Sequence, residues 1–111
     1  MRLKADFERV QGGGKRIADS YFSMTFRPNE LGAARLGLAV AIRTVGNAVA
    51  RNRVRRCVKE SFRLAQHDLP PVDIVVAARA RVKGAKPEEL RASLAALWNK
   101  VAIRCATSSG A

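Results

Sequence analysis

The residues best suited to holding phosphate groups lie in one stretch, GNAVARNRVRRCVKESFR, from Gly46 to Arg63. It contains six of the chain's 21 Lys and Arg residues and a single acid, Glu60. Arginine forks match the geometry of phosphate oxygens, and an asparagine such as Asn52 can also hydrogen-bond a base edge. The stretch therefore predicts a surface that binds a polyanion.

At about 3.6 residues per turn, this stretch forms a helix with two different sides. The side suited to packing on a sheet consists of Val54, Cys57, Val58, Ser61 and Ala65. The opposite side consists of Asn52, Arg56, Lys59 and Arg63, with Arg55 at one flank and Arg53 at the other. A charge run is ordinarily a solvated surface, but one acid cannot neutralise six bases, whose repulsion destabilises an isolated helix. We therefore expect nucleic-acid contact along this side.

The composition supports a nucleic-acid partner. The chain has 111 residues, a formal net charge of +12 and 48% hydrophobic residues. This length suits one domain with one core, and the hydrophobic content excludes a disordered chain. A net charge this high on a small domain indicates a polyanionic partner.

Candidate catalytic and metal-binding groups are sparse. The acids are scattered apart from Glu88 and Glu89 at a predicted helix start, and His67 has no partner at ligand spacing. The segment QGGGKR lacks the spacing of a phosphate-binding loop. Two cysteines without a CxxC spacing favour a reduced compartment, and the N-terminus has no apolar signal region. We therefore expect a cytoplasmic protein without a membrane span, a metal site or catalytic residues of its own.

Hydrophobic periodicity predicts an α+β domain in which helices pack on a sheet. The predicted order is a short helix around Phe7, a strand at Tyr21–Phe26, a strand over Leu36–Ile42, the basic helix from near Ala48 to near Gln66, a strand in DIVVAAR and a last helix beginning at Pro87. The end of the chain, ATSSGA, is expected to be a frayed tail.

The basic stretch resembles the arginine-rich RNR motif of the bacterial ribonuclease P protein subunit. ADFERV resembles that family's first helix, RLGLAV the strand before the motif, DIVVAARA the later strand and LRASLAALWNKV the last helix. The resemblance covers nearly the whole chain in the right order, which makes it far more specific than the tripeptide alone.

The resemblance implies a single-domain α-β-β-β-α-β-α sandwich over residues 1–104, followed by a flexible tail, 105–111. This fold, ribosomal protein S5 domain 2-like, has a mixed sheet, a cleft and the arginine-rich helix on a left-handed βαβ crossover. Because about 98% of such crossovers are right-handed, this expectation comes from the resemblance alone.

The resemblance also implies a function. With a catalytic RNA, the protein would remove 5′ leaders from precursor tRNA, and no obligate protein partner is expected. The RNA and its Mg²⁺ ions would carry out the phosphodiester hydrolysis. The basic helix would face the catalytic RNA, and a cleft between the first helix and the sheet would hold the single-stranded leader.

The family's functional positions match particular residues here. Those matching the RNA-binding motif are Arg51, Asn52, Arg53, Arg55, Arg56, Lys59 and Arg63, with Arg43 supplying a charge before the motif. Phe7 matches a cleft aromatic, and Phe22 is also assigned to the leader cleft, although either ring could equally belong to the core. Three positions depart from the family pattern. Gln11 and Thr25 stand where members carry aromatics, and Ile42 stands where a lysine is common.

Other classes share some of these features. A structural RNA-binding module such as a ribosomal protein would have the same charge and size, so a processing assay has to separate the two. A DNA-binding basic helix is disfavoured, because neither heptads nor a helix-turn-helix pattern accompanies it. A nuclease acting alone is the least favoured class.

Overall fold

The computed structural model describes residues 14–109, with side chains described from 14 to 104. The predicted first helix, with Phe7 and Gln11, lies outside this range. The elements in chain order are β1 (Lys15–Ala18), β2 (Phe22–Pro28), β3 (Arg35–Ala39), α1 (Ile42–Val45), α2 (Ala48–Ala65), a 3-10 turn (Gln66–Asp68), β4 (Val72–Ala78), a second 3-10 turn (Ala80–Val82) and α3 (Pro87–Ser109).

The four strands form one mixed sheet in the order β1-β2-β4-β3. The β1–β2 and β2–β4 pairs are antiparallel, whereas β3 and β4 are parallel. Parallel neighbours require a long crossover connection, which here contains α1 and α2. The predicted α+β class, the mixed sheet and the position of the basic helix within a βαβ unit are confirmed. The left-handed sense of the crossover stays a prediction.

The core lies between one face of the sheet and the helices. Alternation along β2 buries Phe22, Met24 and Phe26, of which none is more than 1% exposed, and β4 adds Ile74 and Val76 to the same layer. The apolar side of α3 closes this layer; its buried members are Leu90, Leu94, Leu97, Trp98 and Val101. The strand and helix periodicities in the sequence are thus confirmed.

Local chemistry explains the bounds of α2. Gly46 adopts φ +111°, a conformation that favours glycine, and Asn47 caps the helix by accepting a hydrogen bond from the Ala50 amide at 2.8 Å. At the other end, the 3-10 turn is followed by Pro70 and Pro71, which cannot extend a helix. The predicted bounds, near Ala48 and near Gln66, agree with the observed helix.

Three local features differ from the expectation. The residue pattern alone did not identify β1, because only Ile17 of its four residues is buried and no alternation is visible. The strand predicted over Leu36–Ile42 ends at Ala39, and Ile42 instead begins α1 with 44% of its surface exposed. Helix α3 continues to Ser109, so residues 105–109 of the expected tail are helical.

One charged group is buried at the end of the sheet. Asp73 accepts hydrogen bonds from Nε and Nη2 of Arg35 at 2.8 and 2.7 Å, and from Nδ2 of Asn29 at 2.8 Å. The hydrogen bonds from Arg35, opposed by burial and aided by Asn29, hold the pKa of Asp73 below its ordinary value. The ion pair joins β3 to β4 across the parallel interface.

This pair predicts acid-dependent stability. A carboxyl whose folded pKa is lowered contributes stability that is present above its unfolded pKa and is lost as pH falls through the folded pKa. We expect Asp73→Asn to lower the free energy of unfolding by about 1–3 kcal/mol at neutral pH, and the deficit relative to wild type to shrink below about pH 4. Urea unfolding at pH 7 and pH 3 measures both, with Glu30→Gln, an exposed acid, as the control. An equal deficit at both pH values would contradict the assignment.

No helix among residues 14–109 is both long enough and apolar enough to cross a membrane.

Candidate nucleic-acid interface

Helix α2 is held to the domain by its apolar side. Val54, Val58 and Phe62 are buried, with Val58 fully so. The Phe62 ring meets the indole of Trp98 edge-on, with ring centroids 5.6 Å apart and an interplanar angle of 66°. The Trp98 Nε1–H donates to Ser61 Oγ at 2.8 Å. Together these contacts fix the rotation of α2 about its axis, and therefore decide which residues face outward.

The outward side carries the predicted polar row. We call it the basic face, and it consists of Asn52, Arg53, Arg56, Lys59 and Arg63, all exposed. Along such a face, donors recur about every 5.4 Å, once per turn. No carboxylate pairs with Arg53, Arg56 or Lys59 in the part of the chain whose side chains are described. These three cations are therefore available to an external anion.

Arg63 differs from its neighbours because it is already paired. It donates to both oxygens of Glu60, at 3.3 Å from Nε and 2.5 Å from Nη2. The hydrogen bond from Arg63 lowers the pKa of Glu60, and both groups are fully exposed. Since exposed pairs of this kind contribute little, a phosphate can displace the carboxylate at small cost.

Two of the predicted RNA-binding arginines have half-buried side chains. Arg55 is half-buried at the flank of the basic face, as expected. Arg51 is also half-buried, and its Nε lacks a hydrogen-bond partner within the described residues although the atom is buried. A buried donor of this kind costs about 1–3 kcal/mol when unsatisfied.

The N-terminal end of α2 gathers further positive charge. Arg43 lies exposed on α1, directly before the turn at Gly46. Lys83, from the loop after β4, approaches the same turn: a Cβ on Gly46 would lie 3.4 Å from Lys83 Cε. Sequence reasoning missed Lys83, and the signal for it was the basic segment RARVKGAK after the last strand.

The leader-cleft assignment of Phe22 is corrected by its burial. Phe22 is 0% exposed and shares the helix-covered face of the sheet with Met24 and Phe26, so its ring cannot stack on a base in this fold. Alternation places Thr25 on the opposite face. Tyr21 is half-buried and donates a hydrogen bond from its hydroxyl to Glu89 Oε2 at 3.0 Å. Phe7 lies outside the described residues.

Cys57 and His67 are the other candidate reactive side chains among the described residues. Burial raises the pKa of the Cys57 thiol, against a smaller opposing effect of Arg91, so the thiol is less ionised than usual. His67 is exposed in the turn after α2. Within the described residues, no three His, Cys, Asp or Glu side chains are grouped as a metal would require.

Comparison with known proteins gives a consistent result. A family model described as Ribonuclease P matches residues 1–102. The ribonuclease P protein component of Coxiella burnetii is 39% identical over 109 residues, covering 98% of this chain and 90% of the relative. The ribonuclease P protein component of Cronobacter sakazakii is 46% identical over 96 residues, covering 86% of this chain and 81% of the relative.

Solved structures agree with the sequence comparison. The RNase P protein of Staphylococcus aureus superposes with a TM-score of 0.81 at 29% identity, covering 96% of this chain and 93% of that one. The RNase P protein of Thermotoga maritima superposes with a TM-score of 0.82 at 31% identity, covering 90% of this chain and 94% of that one. The similarity extends over sequence and fold alike.

Proposed function

The chain belongs to the ribonuclease P protein family, and from this premise we propose that its basic face binds the catalytic RNA subunit of the enzyme. As a member of this family, it is the protein subunit of an endoribonuclease that processes the 5′ end of tRNA.

The observation that carries the proposal is a set of exposed cations, without carboxylate partners among the described side chains, on a helix that is fixed to the domain. Each Lys or Arg that neutralises a phosphate releases counterions, which gives binding its strong salt dependence. Arg53, Arg56 and Lys59 are exposed on one helix side whose apolar side is fixed by Val58 and Phe62. Because the helix is fixed on the domain, RNA binding does not have to order its backbone, and only the exposed side chains lose conformational freedom.

Two neighbouring residues add different chemistry. Asn52 can both donate to and accept from a base edge, so it can distinguish bases where a bare charge cannot. Arg51 is half-buried on the same helix and adds positive charge beside the basic face. We assign positioning of the RNA backbone to the arginines and base reading to Asn52.

The single-stranded leader is placed on the sheet face opposite the helices. Arg16 pairs directly with Thr25, and Arg27 lies two residues further along β2, so all three side chains are on that face. Both arginines are exposed and can hold leader phosphates. With Phe22 in the core, the proposed leader contact is mainly electrostatic on the described part of the sheet.

Catalysis is assigned to the RNA. Following the family resemblance, we assign Mg²⁺ to the catalytic RNA and the substrate. The protein's contribution is to bind, orient and neutralise. No further protein partner is required by this scheme, and a cytoplasmic location is consistent with it.

Reconstitution tests the proposed function. We expect the RNA-free protein to cut nothing, and leader cleavage from precursor tRNA at low Mg²⁺ to appear only when a bacterial catalytic RNA is added. Gel analysis of 5′-labelled precursor measures this, with the catalytic RNA alone at the same Mg²⁺ concentration as the control. Cleavage by highly purified protein, or no effect of the protein on the RNA's activity, would overturn the proposal. The second outcome would favour a structural RNA-binding module.

Neutralising the one acid beside the basic face should strengthen binding. Glu60→Gln removes a charge that repels phosphates and frees Arg63 from its ion pair. We expect about two- to threefold tighter binding of the catalytic RNA at low salt, with the gain screened at high salt. Filter binding against salt measures it, and Glu30→Gln, an exposed acid in the β2–β3 loop, is the matched control. Equal gains for both variants would indicate a general charge effect.

A further inference from the structure

A groove of about 700 Å³ lies between α2 and α3, alongside the basic face. Its lining is mostly apolar and includes Cys57, Leu64, Ala95 and Trp98. Small side chains at Cys57 and Ala95 leave the groove open, and Leu64 at its border is 67% exposed. Pockets of this size and character hold small, flat ligands of nucleoside dimensions.

Positive charge flanks the groove on both sides. Arg53 and Arg56 of the basic face line one wall, and Arg91 of α3 lines the groove from the other helix. The charge of Arg91 reaches Cys57, where it partly offsets the effect of burial on the thiol's pKa. The groove is therefore continuous with the proposed RNA-binding surface, and its cations are placed for phosphates outside the apolar floor.

Polar groups also line the groove. Asp68 and Asn99 are both exposed there. A carboxylate oxygen accepts from the exocyclic amine of a base, and an amide can donate and accept. An apolar floor, hydrogen-bonding edges and outer arginines are the three features that a splayed-out base with its backbone requires.

We infer that this groove holds an unstacked nucleobase of the catalytic RNA, with the flanking phosphates on Arg56 and Arg91. The inference rests on the proposed function and adds a specific contact to it. RNA is favoured over a protein partner because the groove opens beside the unpaired cations of a chain with net charge +12. The base would lie against Cys57 and Ala95, between the two helices.

Filling the groove tests the inference. Ala95 and Ala96 are both exposed on α3, but only Ala95 lines the groove. We expect Ala95→Phe to weaken binding of a bacterial catalytic RNA roughly tenfold, as expected for loss of one stacked base, and Ala96→Phe to bind within about twofold of wild type. The salt dependence of Ala95→Phe should be unchanged, because no phosphate contact is removed.

Chemical protection of Cys57 gives a second readout that needs no groove variant. In the Cys105→Ser chain, we expect the catalytic RNA to slow alkylation of Cys57 by N-ethylmaleimide at least tenfold. If circular dichroism shows that Ala95→Phe is misfolded, the protection of Cys57 alone tests whether the RNA occupies the groove.

Three results would overturn the inference. The first is equal RNA affinity of the Ala95→Phe and Ala96→Phe proteins. The second is alkylation of Cys57 at the same rate with and without the RNA. The third is that Ala95→Phe loses self-association and keeps its RNA binding. The last would assign the groove to a second copy of the chain. If the groove results are negative while basic-face variants still lose RNA binding, the groove inference fails and the proposed function stands.

Discussion

Replacing Arg56 and Lys59 together by alanine should weaken binding of the catalytic RNA by roughly 10–100-fold near physiological salt. Both residues are exposed, and neither has a carboxylate partner in the part of the chain with described side chains. Each lost phosphate contact should also reduce the slope of log K against log salt by about 1, so the double variant should lose about 2. Titrations at four or more salt concentrations measure the slope directly.

A second double variant that removes the same charge elsewhere separates the loss of direct phosphate contacts from the loss of net positive charge. Lys100→Ala with Arg104→Ala also removes two positive charges, from exposed positions on the side of α3 that lies beside β1. Because these residues are not on the basic face, the control pair should remove no phosphate contact and leave the slope nearly unchanged. If the two double variants lose affinity and slope equally, the basic face is only a solvated surface.

Replacing Trp98 by alanine should have the largest effect on stability. Trp98 is 3% exposed, packs edge-on against Phe62 and donates to Ser61, so its loss leaves a cavity between the two main helices. We expect the free energy of unfolding to fall by about 3–5 kcal/mol, a large part of the roughly 5–15 kcal/mol typical of such domains. Urea unfolding followed by circular dichroism is the suitable measurement, because Trp98 is the only tryptophan.

Two matched variants locate the origin of that loss. Trp98→Phe retains much of the apolar contact and removes the N–H donor, so it should cost clearly less than the alanine variant. Leu64→Ala, at a site that is 67% exposed, should change stability by no more than about 0.5 kcal/mol. If Trp98→Ala is no less stable than Leu64→Ala, Trp98 does not hold α2 in place. The contacts of Trp98 would then not be what fixes the orientation of α2 and of its basic face.

Much of the fold followed from periodicity and end signals. Helix α2 was predictable because Val54 and Val58 recur at helical spacing and because Asn47 and the prolines after Leu69 mark its ends. Strand β1 was not predictable, since four residues with one buried side chain carry no periodic signal. Ile42 continued an alternating pattern, but the backbone turned into α1, and periodicity cannot detect such a turn.

The candidate site shows the same division. A helical wheel was sufficient to place Arg56 and Lys59 together, because residues three and four apart share a helix face whatever packs behind them. Alternation likewise grouped Phe22 with Met24 and Phe26. It could not say which face of the sheet the helices cover, so assigning Phe22 to the leader cleft was wrong.

The sequence by itself determined the charge, the two-sided basic helix and the order of the main elements, because these depend on contacts between near neighbours in the chain. Only the tertiary structure decided which sheet face is buried, which arginines have partners, where Lys83 lies and whether a groove opens beside Arg56. Those properties depend on residues distant in sequence, such as Cys57 and Ala95, whose approach is set by packing of the whole core.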